Sequence, residues 1–166
     1  LLENASTETM ELIKEYGLRN SQLLTCAPTG TVSLLYRTSG GIEPIFALKS
    51  ERKTLSLNNG EEVKYEVNAK IVQDFMDIYG EMDIEDLPDY FVTAADIDYK
   101  DRVRFQAIWQ KHIDASISST VNLPHETSIE DIKQLFIFAW ESGLKGITVY
   151  RAGCAREGIL VNKDGK

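Results

Sequence analysis

Cysteine is scarce in this chain: there are two, Cys26 and Cys154, far apart. They form no CxxC pair and no metal-ligand spacing, which excludes a disulfide framework and a cysteine-based metal site. Two isolated thiols point to the cytosol. Histidine is equally scarce, His112 and His125 being the whole complement, so a histidine-rich metal site is not expected. No apolar run has the length of about 20 residues that crosses a bilayer, and no signal peptide is visible. A membrane partner is therefore not expected. Positive charge is in deficit as well: Lys and Arg total 18 against 26 Asp and Glu, a net charge of −8. Such a chain lacks the basic field that nucleic-acid surfaces use, although a local pocket for a nucleotide stays compatible with it. Repeats and low-complexity linkers are absent. Asn4-Ala5-Ser6 matches a glycosylation sequon, which has no meaning in a cytosolic protein.

What is present suffices for one domain with a real core in 166 residues. The most informative stretch is Leu24-Thr25-Cys26-Ala27-Pro28-Thr29-Gly30-Thr31-Val32-Ser33. An apolar run feeds a tight Pro-Thr-Gly turn, and the turn feeds a second apolar run that opens a helix. A helix start carries unpaired N–H donors and a partial positive charge, so this arrangement suits an anion such as a phosphate. It is not a Walker loop, which needs a Lys after its second Gly. An ordinary strand-to-helix turn is the alternative reading of the same residues.

Periodicity supplies the remaining elements. Ser6 to Tyr16 reads as a helix capped by Ser6 or Thr7, with Met10 and Ile13 on one side and Gly17 as its stop. Gln22–Ala27 is a short buried strand, and Ile42 to Leu48 reads as extended after the loop Thr38-Ser39-Gly40-Gly41. Leu55 and Leu57, then Val63, Tyr65 and Val67, alternate about Asn58-Asn59-Gly60, the pattern of a β-hairpin. Ala69 to Tyr79 is a helix with Ile71, Val72, Phe75, Ile78 and Tyr79 inward. The acidic run Glu81 to Asp89 is a solvated loop. Tyr99 to Ile113 is a helix with Phe105, Ile108, Trp109 and His112 as its stripe. Ser118 to Leu123 and Gly146 to Tyr150 are strands. Between them runs a helix with Thr127 and Glu130 as its capping box, Ile132, Leu135, Phe136 and Ala139 as its buried stripe, and Gly143 as its end. Helix, strand, helix, strand makes a βαβ unit with parallel strands and a right-handed crossover. The fold class is α/β, with the hairpin and its helix as an insertion over about residues 50–98.

Several side chains admit two readings. Cys26 is either a small buried hydrophobe or a reactive thiol beside the turn. Cys154 sits past the last strand in a Gly-Cys-Ala-Arg loop, far in sequence from the other cysteine, and a redox-relay role is not expected of it. His112 reads as a hydrogen-bonded core residue and His125 as a surface or capping one. Glu43, set between Ile42 and Pro44, needs a partner for its carboxylate: an Arg, in a structural ion pair, or a substrate. Asn122 either ties adjacent strands together or lines a pocket. The acids from Asp83 to Asp89 lack the Gly and terminal Glu of a calcium loop, and Phe136, Phe138 and Trp140 are core or partner-facing.

Four motifs in order resemble the large chain of ribonucleotide reductases. Ala27-Pro28-Thr29-Gly30-Thr31-Val32-Ser33, then Thr38-Ser39-Gly40-Gly41-Ile42-Glu43-Pro44, look like a late barrel segment of that family. Asp114 to Pro124 looks like the segment that follows, and Gly143 to Arg151 like its last barrel strand. The adenosylcobalamin-dependent class is the nearest in kind: where aerobic di-iron enzymes carry two adjacent tyrosines, this chain has Val149-Tyr150, and a valine cannot relay a radical. The resemblance spans about residues 1–160, leaving 161–166 as a tail.

The resemblance implies a segment of a ten-stranded α/β barrel. It implies a role for Pro28, Thr29, Gly30, Thr31 and Ser33 in binding the phosphates of a ribonucleotide, with Glu43 and Asn122 as pocket-lining candidates. It further implies a ribonucleoside-diphosphate reductase that makes deoxyribonucleotides for DNA synthesis, with adenosylcobalamin bound by the complete enzyme and not by this chain alone. The family's reaction uses at least three cysteines and an Asn-x-Cys-x-Glu loop. This chain has neither, so no catalytic residue is assigned to it, and an N-terminal portion of the reductase is the expected partner. A cut segment and a naturally split chain both fit. The alternative is a non-enzymatic α/β module that binds a nucleotide or a partner.

Overall fold

The structure, a computed structural model, describes residues 5–55 and 62–154. Helix α1 spans Thr7–Tyr16, with Ser6 as its cap: the Thr9 N–H donates to Ser6 Oγ at 3.2 Å, and the helix stops where the Gly17 N–H donates to Ile13 O. The helix buries none of its residues, so the Met10–Ile13 side is not a core face here. Helix α2, Gly30–Tyr36, follows the Pro-Thr-Gly turn. Before it, Gln22–Ala27 forms only a single parallel bridge, Cys26 to Ile117. Pro28 has no N–H to continue a ladder, and the chain turns away at once.

The hairpin pairs β1, Lys49–Leu55, with β2, Glu62–Asn68, antiparallel from Lys49↔Asn68 to Leu55↔Glu62. Its expected turn at Asn58-Asn59-Gly60, with Leu57, lies outside the described residues. Ile42 to Leu48 is not a strand. Its polar groups are committed elsewhere, Ile42 O to Arg102, Ile45 O to the Ala94 N–H and Leu48 O to the Ala69 N–H, and Pro44 has no N–H to give.

Helix α3, Lys70–Tyr79, buries Val72 and Met76 against Leu87, with Phe75, Met82 and Phe91 packed around them. Ile71, Ile78 and Tyr79 are exposed, contrary to the inward stripe expected from the sequence. The run Glu81 to Asp89 is more than solvated loop, since a one-turn 3₁₀ helix, Ile84–Asp86, delivers Leu87 into this core.

The second core is built on a βαβ unit. Strand β3, Thr120–Leu123, runs parallel to β4, Thr148–Arg151, in register Thr120↔Thr148. Helix α5, Ile129–Glu141, crosses between them and lays Leu135 on Val121 and Leu123, with Ile132, Ile147 and Val149 beside it. The capping box is Ser128 with Asp131, one residue beyond the expected Thr127–Glu130 pair, and Phe136 is half-exposed. Helix α4, Tyr99–Gln110, packs beside β3 and α5, with the Arg104 guanidinium 5.7 Å from the centre of the Phe138 ring. The described strands form two separate pairs and no closed barrel.

Candidate phosphate-binding site

The turn is built by two loops that lean on each other. Thr29 stands in the left-handed region at φ 51°, which is rare for a β-branched residue and costs on the order of 1–3 kcal/mol. Its side chain does not cap α2. Instead Thr29 Oγ1 accepts the Gly41 N–H at 2.9 Å. Gly41 itself has φ 53°, and a Cβ on Gly40 would come 2.9 Å from Pro28 O, so the second loop needs both of its glycines for close approach. The first helical bond of α2 is the Ser33 N–H to Thr29 O at 2.8 Å. The Gly30, Thr31 and Val32 N–H groups precede it and have no partner within the helix.

Gly30 differs from Gly40 and Gly41. Its φ is unexceptional and a Cβ there would meet nothing within 4 Å. Neither conformation nor packing among the described residues demands glycine at this position. Pro28, Thr29, Gly30 and Thr31 are all exposed. Ser33 is buried, and its hydroxyl donates to Gly30 O at 2.8 Å, which stiffens the turn from behind.

Behind the second loop lies a polar cluster. Glu43 Oε1 accepts the Thr120 N–H at 2.6 Å, while Arg102 Nη1 donates to Ile42 O at 3.1 Å and Nη2 to Ser119 Oγ at 2.9 Å. Burial pulls the Arg102 pKa below its ordinary value, and the negative charge of Glu43 opposes that shift. The carboxylate of Glu43 thus accepts a backbone N–H inside the protein and influences Arg102 through its charge, without forming, among the described residues, the direct ion pair with an Arg that the sequence suggested. Among the described residues no side-chain hydrogen bond ties Asn122 to the turn. It lies near the end of β3, beside a depression of about 410 Å³ that includes Asp98, Tyr99, Leu123, Pro124 and Thr127.

Arg102 was not singled out by sequence reasoning. The available signal was the polar stripe Arg102, Gln106, Gln110 at helical spacing, which α4 turns inward while Phe105, Ile108 and Trp109 stay substantially exposed and His112 is exposed. Cys26 is half-buried beneath Gly41, its Sγ 3.8 Å from where a Cβ would stand. His125 packs against Gly153. Among the described residues no group of three His, Cys, Asp or Glu is placed to hold a metal ion, and no helix is long and apolar enough to cross a membrane.

A family profile described as "Ribonucleotide reductase, barrel domain" matches residues 3–150. Vitamin B12-dependent ribonucleoside-diphosphate reductase of Mycobacterium tuberculosis (strain H37Rv) is 35% identical over 162 residues, covering 87% of this chain and 22% of the relative. The protein of the same name from Thermoplasma acidophilum is 36% identical over 151 residues, covering 81% and 19%. A solved class II, B12-dependent ribonucleotide reductase superposes on 84% of this chain and 21% of its own, with a TM-score of 0.50 at 13% identity, a likeness of fold alone. The chain spans about a fifth of the length of these relatives. With the profile covering most of its length, this α/β chain belongs to the ribonucleotide reductase barrel-domain family.

Proposed function

We propose that this chain forms part of the barrel wall of a vitamin B12-dependent ribonucleotide reductase, and that its turn Pro28-Thr29-Gly30-Thr31, backed by Ser33, holds the phosphates of the ribonucleotide. The observation that carries the reading is Gly30. It is a glycine that the fold does not require, set between a strained Thr29 and N–H groups without helical partners. An anion seated there would accept those N–H groups and benefit from the helix start. Ser33 contributes by holding the turn's shape, and the Thr29 and Thr31 hydroxyls complete the donor set. Names of relatives that include vitamin B12 support the same dependence for the whole protein. The depression beside Asn122 has no imidazole or thiolate among its lining residues, so it offers no protein ligand to a cobalt centre there. The thiols of the reaction belong, on this reading, to polypeptide outside these residues, in a cytoplasmic enzyme. Residues 1–160 then form the barrel part, with about 50–98 as an insertion whose separate apolar core supports that division.

The test is Gly30→Val in the complete reductase. The new side chain has room within the protein, so stability holds, but it occupies the place of the anion. Loss of charge-assisted hydrogen bonds should raise the KM for ribonucleotide by about ten- to a hundredfold. An unchanged KM in a well-folded variant removes the turn from the substrate site.

A further inference from the structure

We propose that Glu43 and Arg102 are positioning residues for the phosphate turn: Glu43 replaces a missing strand carbonyl at the edge of β3, Arg102 anchors the same loop from α4, and together they set where Thr29 and Gly30 stand. This rests on the phosphate-binding reading of the turn.

The argument starts from a ladder that breaks off. Cys26 bridges Ile117 in parallel, and the Ser118 N–H donates to Cys26 O at 3.0 Å. In a regular parallel ladder the next N–H on that edge is two residues on, Thr120, and its acceptor is two residues beyond Cys26, the carbonyl of Pro28. That carbonyl has gone elsewhere, packed against Gly40 so closely that a Cβ would lie 2.9 Å from it. The Thr120 N–H is not left orphaned, because Glu43 Oε1 accepts it at 2.6 Å. A carboxylate thus stands in for a backbone oxygen, and the Gln22–Ala27 segment is free to leave the edge of β3 and form its turn.

The substitute is itself held. The Glu43 N–H closes a turn onto Gly40 O at 3.0 Å, and the neighbouring carbonyl of Ile42 accepts Arg102 Nη1. Arg102 is 6% exposed and Ser119, its other partner, 1%. A buried guanidinium needs such acceptors and a negative charge nearby, and Glu43 supplies the charge. Two residues before Glu43, the Gly41 N–H grips Thr29 Oγ1. The contacts therefore run without a gap from β3 and α4 through Glu43, Ile42 and Gly41 to Thr29, next to Gly30. Glu43 does not need to touch substrate to control it.

The experiment compares affinities of the complete reductase for a ribonucleoside diphosphate and for the matching ribonucleoside by equilibrium dialysis. Glu43→Asp shortens the side chain by one methylene and withdraws its oxygen from Thr120. It should cut the preference for the phosphorylated probe about tenfold, the worth of one charged hydrogen bond, and leave nucleoside binding in place. Glu43→Gln keeps an oxygen at the same reach and should lose less, about threefold. It also serves as the reporter if Glu43→Asp does not fold. Equal losses for both probes, or none, overturn the proposal. Gly30→Val separates it from the reading beneath it. If Gly30→Val leaves the preference intact, the turn is not the phosphate site. If Gly30→Val abolishes the preference while both Glu43 variants keep it, the positioning role alone is overturned.

Discussion

Helices α4 and α5 both pack beside β3, yet α4 turns Arg102, Gln106 and Gln110 inward beside one apolar residue, Val103, where α5 buries only Leu135 and Ala139. The buried amides of α4 reach loop carbonyls: Gln106 Nε2 donates to Gly146 O at 2.8 Å, and Gln110 Nε2 to Ile113 O and Ala115 O, both at 2.9 Å. Arg102 adds Ile42 O. Every one of these acceptors lies on a connection rather than in a regular element. Helix α4 therefore works as a rack that holds loops by directional bonds, while α5 fills the core by contact. The difference teaches that a helix beside the sheet need not be the one that supplies apolar area. The cost is visible too, since Gln106 Oε1 and Gln110 Oε1 are buried without a hydrogen-bond partner among the described residues.

The sharpest way to break the comparison is to replace one buried side chain on each helix. Leu135→Ala removes a side chain with 0% exposure from between Val121 and Leu123. It should cost about 3–4 kcal/mol in urea unfolding, the largest effect of the set. Arg102→Met keeps much of the volume but leaves Ile42 O and Ser119 Oγ without their donor and Glu43 without its neighbouring charge. A loss of about 2–3 kcal/mol is expected. Unlike Leu135→Ala, it should also weaken ribonucleotide binding in the complete reductase, because the loop it anchors holds Thr29. If Leu135→Ala weakens binding as strongly as Arg102→Met, the division between rack and filler is wrong.

Legibility in the sequence follows the same division. Where burial is apolar and periodic, as in α5 and β3, sequence reading placed the elements within a residue or two, and β4, which pairs with β3, was placed as closely. The capping box slipped by one because Thr127-Ser128 and Glu130-Asp131 offer the same chemistry twice, and only the backbone at Ser128 decides. Helix α4 was found but turned the wrong way. Phe105, Ile108 and Trp109 form a fair amphipathic stripe, and nothing in periodicity says that carbonyls of distant loops will claim the opposite, polar face. The turn at Pro28 was legible because proline, glycine and threonine carry local rules. Its support was not: Glu43 signalled its need for a partner, but the partners, the Thr120 N–H and Arg102, lie 77 and 59 residues away and become visible only in three dimensions.

Acid should separate the two sides with the smallest perturbation. The loop after α4 carries Asp114, whose carboxylate accepts the Leu23 and Leu24 N–H groups at 2.9 and 3.1 Å. Those two bonds, with help from the nearby charge of Lys145, hold its pKa below the ordinary 3.8. A carboxyl depressed in the folded state stabilises it fully above 3.8, and the contribution is lost as pH falls below that value toward the folded pKa. The group is solvent-accessible, so the effect is local: release of the Leu23–Leu24 segment that leads into the turn, not global unfolding. In an ¹⁵N-labelled sample the Leu23 and Leu24 amides should shift together with an apparent pKa under 3.8, and Asp114→Asn should abolish the titration. The Leu144 amide after α5, which donates to Ala139 O at 3.1 Å, has no carboxylate partner and should stay still over the same range. Leu23 and Leu24 amides that titrate at or above the ordinary value would mean that the carboxylate is not holding this segment, and α4 would lose one of the connections that distinguish it from α5.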